Sequence, residues 1–144
     1  MIAERLEPEK ILFGLKGDFP GVIDRLCARS SLPELAEQFH AQKPNHAIDR
    51  YSYLGDGFAV PHLRLDNLAA PELILGLSPE GLSFDDHKVH VVLLLATPAA
   101  QPAQHLQLLQ RVGTLLPAIR DELLAQRDAR RVLQVIARAE QQSA

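Results

Sequence analysis

Histidine is the side chain in this sequence best suited to chemistry near neutral pH, and the chain has six. They are His40, His46, His62, His87, His90 and His105. No HExxH or HxH pair occurs, and the single cysteine, Cys27, has no partner for a thiolate site, so a bound metal is not expected. His87 and His90 are three residues apart in or beside a strand, which predicts that they point to opposite faces. We interpret His40, His46, His87 and His90 as surface or loop residues.

His62 is distinguished by its context. It follows a short apolar run, residues 58–60, and then Pro61. Strand ends in α/β sheets are where reactive groups are displayed, and a neutral imidazole is a competent nucleophile near pH 7. On spacing alone, a histidine that merely caps a strand end is the favoured explanation of His62.

His105 stands near the start of the helix that follows the longest apolar run. Unpaired backbone N–H groups at a helix start favour anions, so His105 is a candidate for supporting a phosphoryl group on a neighbouring histidine. The alternative is a first-turn helix residue that faces water.

The elements that would hold these histidines alternate between strand and helix patterns. Residues 89–96 give the strongest strand signal, and their continuous apolar character predicts a central strand covered on both faces. Shorter strands are predicted at 11–15, 51–54, 58–60 and 72–77, with turns at 55–57 and 79–81. Helices are predicted from Asp18 and from Leu32, and from Ala103 to a break at Pro117, followed by 118–126 and 128–139. The fold class is therefore predicted as α/β, a mixed sheet with helices on both faces.

Composition narrows the class of protein. A length of 144 residues fits one domain, 1–144, and the net charge of −3 gives no basic field for nucleic acid. The first residues lack the pattern of a signal peptide, and the longest apolar run, residues 91–96, is too short to span a bilayer. No GxSxG or GxxxxGK motif occurs. We expect a cytoplasmic domain without membrane insertion.

Two stretches carry a family resemblance. Residues 53–62, YLGDGFAVPH, resemble the active-site stretch of the enzyme IIA domains of the fructose/mannitol class, including the nitrogen-regulatory branch, of the bacterial phosphoenolpyruvate-dependent phosphotransferase system. The family pattern is a small residue, a turn with glycine, and then Ile-Ala-Ile/Val-Pro-His. Residues 86–98 and the HLQLL of 105–109 are similar to its central strand and following helix. The resemblance extends over nearly the whole chain.

This resemblance implies a histidine phosphotransferase component without a cofactor. His62 would accept phosphate through Nε2 from HPr or its nitrogen-branch relative, and would pass it to an enzyme IIB or serve as a regulatory signal. His105 would be the second active-site histidine, supporting the phosphorylated ring. Ser52 and Arg64 match positions where the family commonly has threonine and a basic residue, and are candidate phosphate contacts. The sugar-transport and nitrogen-regulatory branches stay open.

The chain departs from the family pattern at two positions. Leu63 stands where glycine usually follows the active histidine, and we expect it to restrict the backbone and crowd the docking face. His46 stands where an arginine is usual, with Arg50 nearby as a substitute. These departures favour an alternative, a non-catalytic regulatory module that binds a transporter or kinase. A third hypothesis, an unrelated small-ligand domain, would require His62 and His105 to lie more than a side-chain length apart.

Overall fold

The computed structural model describes residues 2–32, 34–42, 53–84 and 86–143. Within these residues the strands are β1 Ile11–Leu12, β2 Tyr53–Gly55, β3 Phe58–Ala59, β4 His62–Leu65, β5 Glu72–Phe84 and β6 His87–Pro98. The α-helices are α1 Phe19–Cys27, α2 Leu35–Gln42, α3 Pro102–Ala118, α4 Arg120–Ala125 and α5 Ala129–Gln142. Two short 3₁₀ turns, Ala3–Arg5 and Pro8–Lys10, precede β1.

The strands form one mixed sheet with β6 at its centre. On one side β6 pairs antiparallel with β5, and β1 runs parallel to β5 beyond it. On the other side β3 and then β4 pair parallel with β6, and β2 lies antiparallel to β3. The mixed sheet is as predicted from the sequence, and β6 is the central strand.

β6 is central because it is apolar on both faces. Val91, Leu93 and Leu95 pack into the layer of α3, α4 and α5, whereas the alternate residues of the run pack against α1 and α2. Each of these β6 side chains is buried. The period of two along a strand therefore supplies both cores, and the prediction of helices on both faces is confirmed.

Local signals in the sequence account for two of the element boundaries, the start of α1 and the turn between β2 and β3. The Asp18 side chain caps α1 by accepting from the Gly21 N–H at 2.9 Å. Asp56 and Gly57 form the predicted turn between β2 and β3, with φ of 53° and 83°. Positive φ at both positions is the requirement of a type I′ hairpin turn, which Asp-Gly satisfies.

The turn predicted at 79–81 is wrong, because β5 continues through it to Phe84. Leu77 pairs with Val91 and Leu82 with Val89, so four residues of β5 oppose only His90. This bulge accommodates Pro79, which has no N–H to give to the ladder. The strand predicted at 11–15 is also shorter, Ile11–Leu12.

The first turn of the chain is held to the last helix by a buried carboxylate. Glu140 of α5 accepts hydrogen bonds from the backbone N–H groups of Ile2 and Ala3, each at 2.9 Å. Arg111 of α3 donates its Nε–H to the same carboxylate at 3.1 Å. Ile2 is fully buried in the core cluster that also contains residues of α3 and α5. Glu140 therefore holds the first residues of the chain against the edge of that core.

Candidate active site

His62 is the first residue of β4, directly after Pro61. Its Nδ1 lies 2.8 Å from the carbonyl oxygen of Val60. A carbonyl oxygen only accepts hydrogen bonds, so this contact requires the proton on Nδ1. In the neutral ring, Nε2 then carries the lone pair. Sequence reasoning did not foresee that the acceptor would be a backbone group two residues earlier.

His105 faces His62 from the first turns of α3. The two ring centroids are 5.3 Å apart, with 50° between the ring planes. The segment after β6 turns back so that α3 covers the strand ends, which brings together two histidines 43 positions apart in sequence. The wide separation required by an unrelated ligand-binding domain is not observed.

His105 is itself held by Thr97, the penultimate residue of β6. The Thr97 hydroxyl forms a hydrogen bond with Nδ1 of His105, and both residues are buried. The sequence alone did not single out Thr97. A hydroxyl closing a continuous apolar run was the available signal, since a buried polar group needs a partner.

Arg64 lies two residues beyond His62 on β4, so the alternation of a strand places both on the same face. It is exposed and stands in register with Thr97 of β6. A permanent positive charge therefore lies at this end of the sheet. Ser52, the other predicted phosphate contact, lies outside the described residues, as do His46 and Arg50.

Leu63 does not crowd the histidine site. Its side chain is 2% exposed and packs on the opposite face of the sheet, in the core that Ala59 shares with α1 and α2. Among the described residues, Asp56 is the only non-glycine residue with positive φ, so position 63 makes no demand for glycine. The expected clash is wrong because strand alternation sends residue 63 away from His62.

Arg120 anchors the β2–β3 hairpin that precedes His62. Sequence reasoning did not select this residue. Arg120, the first residue of α4, donates from Nη1 to the carbonyl oxygen of Asp56 at 2.7 Å. The hairpin tip leads directly into β3 and then to His62. Arg120 therefore fixes the approach of the chain to the site.

Three other histidines occupy helix or strand positions. His40 of α2 makes a 2.8 Å hydrogen bond with Asp24 of α1. His87 and His90 both lie on β6. The exposed ring of His87 packs against the ring of Tyr53, and half-buried His90 donates a hydrogen bond from Nδ1 to the Ser78 carbonyl. None of these three histidines lies in a loop, but exposed His87 is a surface residue, as the interpretation of surface or loop residues allows. No group of three or more His, Cys, Asp or Glu that could hold a metal ion occurs in the part of the chain described.

A family model described as "Phosphoenolpyruvate-dependent sugar phosphotransferase system, EIIA 2" matches residues 36–139, which include both histidines of the site. The chain belongs to this family. The match covers more than two-thirds of the sequence, and the domain is therefore a phosphotransferase-system enzyme IIA domain. Among the described residues of this enzyme IIA domain, no helix is long and apolar enough to cross a membrane.

Curated relatives of the enzyme IIA domain have names from the same system. It is 30% identical over 88 residues to the "PTS system fructose-specific EIIABC component" of Bacillus subtilis, covering 58% of this chain and 14% of that protein. It is 29% identical over 89 residues to the "PTS system fructose-specific EIIA component" of Haloferax volcanii, covering 58% of each. The matched part thus spans less than two-thirds of either relative.

Solved structures share the fold at lower sequence identity. The nitrogen regulatory protein IIA-Ntr of Neisseria meningitidis superposes with a TM-score of 0.79 at 20% identity, covering 94% of this chain and 98% of that one. The mannitol enzyme IIA of Escherichia coli, solved as a complex with phosphorylated enzyme IIB, gives 0.69 at 19% identity, covering 92% and 96%. These similarities confirm the predicted fold.

Proposed function

We propose that this enzyme IIA domain accepts a phosphoryl group on Nε2 of His62 from an HPr-like phosphocarrier protein in the cytoplasm. The observation that carries the proposal is the hydrogen bond from His62 Nδ1 to the Val60 carbonyl. That bond holds the ring in the tautomer whose Nε2 is a nucleophile, and it fixes the direction of the ring. Family membership supplies the class of reaction.

The transfer moves one phosphoryl group between two nitrogens. The Nε2 lone pair of His62 forms a bond to phosphorus while the phosphorus–nitrogen bond of the donor histidine breaks, and its electron pair returns to the donor ring. The protein must align the two rings and offset the charge on three phosphoryl oxygens. His105, buried beside His62, is proposed to donate to one of these oxygens, and Arg64 and Ser52 to contact the others.

The proposed acceptor in the next step is an enzyme IIB domain. Support comes from the name of the Escherichia coli complex, in which a mannitol enzyme IIA is bound to phosphorylated enzyme IIB. The fructose-specific names of both curated relatives favour the sugar branch over nitrogen regulation. The regulatory alternative has lost one of its two sequence arguments, because Leu63 points away from the site.

Labelling through the phosphotransfer cascade tests the proposal. The purified domain is incubated with radiolabelled phosphoenolpyruvate, enzyme I and HPr, and acid-labile phosphate on the domain is counted. We expect label on the wild type, none on His62→Ala, and full labelling of His87→Ala, an exposed histidine that serves as the matched control. Label that persists on His62→Ala would refute the assignment.

A further inference from the structure

Thr97 is a hydroxyl placed at the end of an otherwise apolar strand. It is fully buried, and it follows six consecutive buried apolar residues of β6. Among the described residues, the partner of its side chain is Nδ1 of His105. A buried hydroxyl that fails to donate a hydrogen bond loses its hydration without compensation, so the direction of this bond matters.

Two arrangements of protons are compatible with the contact. Either the Thr97 O–H donates to a lone pair on Nδ1, or Nδ1–H donates to the hydroxyl oxygen. In the second arrangement the hydroxyl proton has no acceptor within the described part of the chain. The first arrangement is therefore favoured, and a neutral His105 then carries its proton on Nε2.

We propose that Thr97 is a positioning residue that sets the tautomer of His105. The inference rests on the proposed phosphotransfer and adds to it a division of roles between the two rings. His62 donates from Nδ1 to Val60, so its Nε2 carries a lone pair. His105 accepts at Nδ1 from Thr97, so its Nε2 carries a proton. One ring is set to attack phosphorus and the other to donate to a phosphoryl oxygen.

The opposite tautomer of His105 would work against the reaction. Its Nε2 would present a lone pair toward phosphoryl oxygens, and one stabilising donor would become a repulsive contact. Thr97 prevents this without touching the phosphate. Its proton stays on Oγ throughout, and no bond to Thr97 forms or breaks.

Nitrogen NMR of the imidazole rings tests the tautomer directly. Long-range ¹H–¹⁵N spectra distinguish a protonated ring nitrogen from one with a lone pair, and the His105 signals are assigned with His105→Ala. We expect wild type and Thr97→Ser to show His105 protonated on Nε2, and Thr97→Val to show a mixture of tautomers. Valine matches the shape of threonine and suits a strand, and circular dichroism verifies that each variant is folded.

The rate of phosphoryl transfer from HPr gives the functional readout. We expect Thr97→Val to slow transfer about fivefold, the equilibrium change that one net hydrogen bond produces, with Thr97→Ser restoring the rate to within about twofold of wild type. Retention of the wild-type His105 tautomer in Thr97→Val would overturn the inference. So would an unchanged rate despite an altered tautomer.

The two arms separate this inference from the proposed function. If wild type takes no label from HPr, phosphotransfer fails as the function, while the NMR comparison still decides whether Thr97 sets the His105 tautomer. If wild type is labelled and the valine variant is indistinguishable from it in both readouts, the proposed function stands and the role of Thr97 is refuted.

Discussion

Replacing Glu140 by glutamine tests how the first turn of the chain is held to α5. The carboxylate accepts from two backbone N–H groups and from Arg111, and its side chain is 9% exposed. Burial raises the pKa of Glu140, but the hydrogen bonds from the Ala3 and Ile2 N–H groups, the amino terminus and Arg111 outweigh it and lower the pKa from 4.5 to about 2. Glutamine keeps the shape but lacks the charge that these donors favour.

The magnitude follows from the pKa shift. A difference of about 2.5 pKa units corresponds to about 3 kcal/mol of folding free energy. Because the folded-state pKa lies below the ordinary value, this contribution is fully present above pH 4.5 and is lost as the pH falls toward 2. At pH 3 only about 1 kcal/mol should remain.

Urea unfolding followed by circular dichroism at pH 7 and pH 3 measures this effect. We expect Glu140→Gln to be less stable than wild type by about 3 kcal/mol at pH 7, and the gap to narrow to about 1 kcal/mol at pH 3. Glu122→Gln, an exposed position on α4, is the control and should change the unfolding free energy by less than about 0.5 kcal/mol. Equal stabilities of Glu140→Gln and wild type at pH 7, or a gap that stays constant down to pH 3, would refute the reasoning.

Three further predictions concern the core, the hairpin and the thiol. Leu63→Ala should lower the free energy of urea unfolding by about 2–4 kcal/mol while the folded variant transfers phosphate normally; slowed transfer at unchanged stability would contradict the placement of Leu63. Arg120→Ala should speed native-state hydrogen exchange of the β2–β3 hairpin amides by an amount equivalent to about 1 kcal/mol, because the bond from Arg120 to the Asp56 carbonyl is lost. Unchanged exchange would show that this bond does not stabilise the hairpin. Burial raises the pKa of the Cys27 thiol from 9.0 to about 12, so iodoacetamide at pH 8 should alkylate the folded protein roughly a thousandfold more slowly than the urea-unfolded protein; comparable rates would contradict this.

The sequence predicted the central strand for a reason that the structure makes clear, and it selected two histidines that the structure brings together. Residues 91–96 are apolar without a break, and only a strand between two helix layers can bury both of its faces. His62 follows the end of β3, and α3, which follows β6, brings the ring centroid of His105 to 5.3 Å from that of His62. The strand signal is local in sequence and strong, whereas the choice of these two histidines depended on the family resemblance.

The hydrophobic periodicity of the sequence did not predict other features of the fold. Pro79 and Gly81 have turn composition, yet the pairing of β5 with β6 on both sides carries the strand through them as a bulge. Leu63 was expected to crowd the site because it follows His62 in sequence, whereas strand alternation places its side chain in the core on the other face of the sheet. The bonds from Thr97 and Arg120 join residues from different elements, and such pairings arise only when the chain is folded.

The hydrogen bonds that orient the two histidines of the site differ in whether a substitution can remove them. The partner that orients His62 is the carbonyl of Val60, a main-chain group that every amino acid supplies. The partner of His105 is the side chain of Thr97, which a single substitution removes. Drift at position 60 can change packing but cannot delete the acceptor, while drift at position 97 can. The proposed attack by His62 therefore depends on a contact that substitution cannot remove, whereas the proposed support from His105 depends on one that a single substitution can remove.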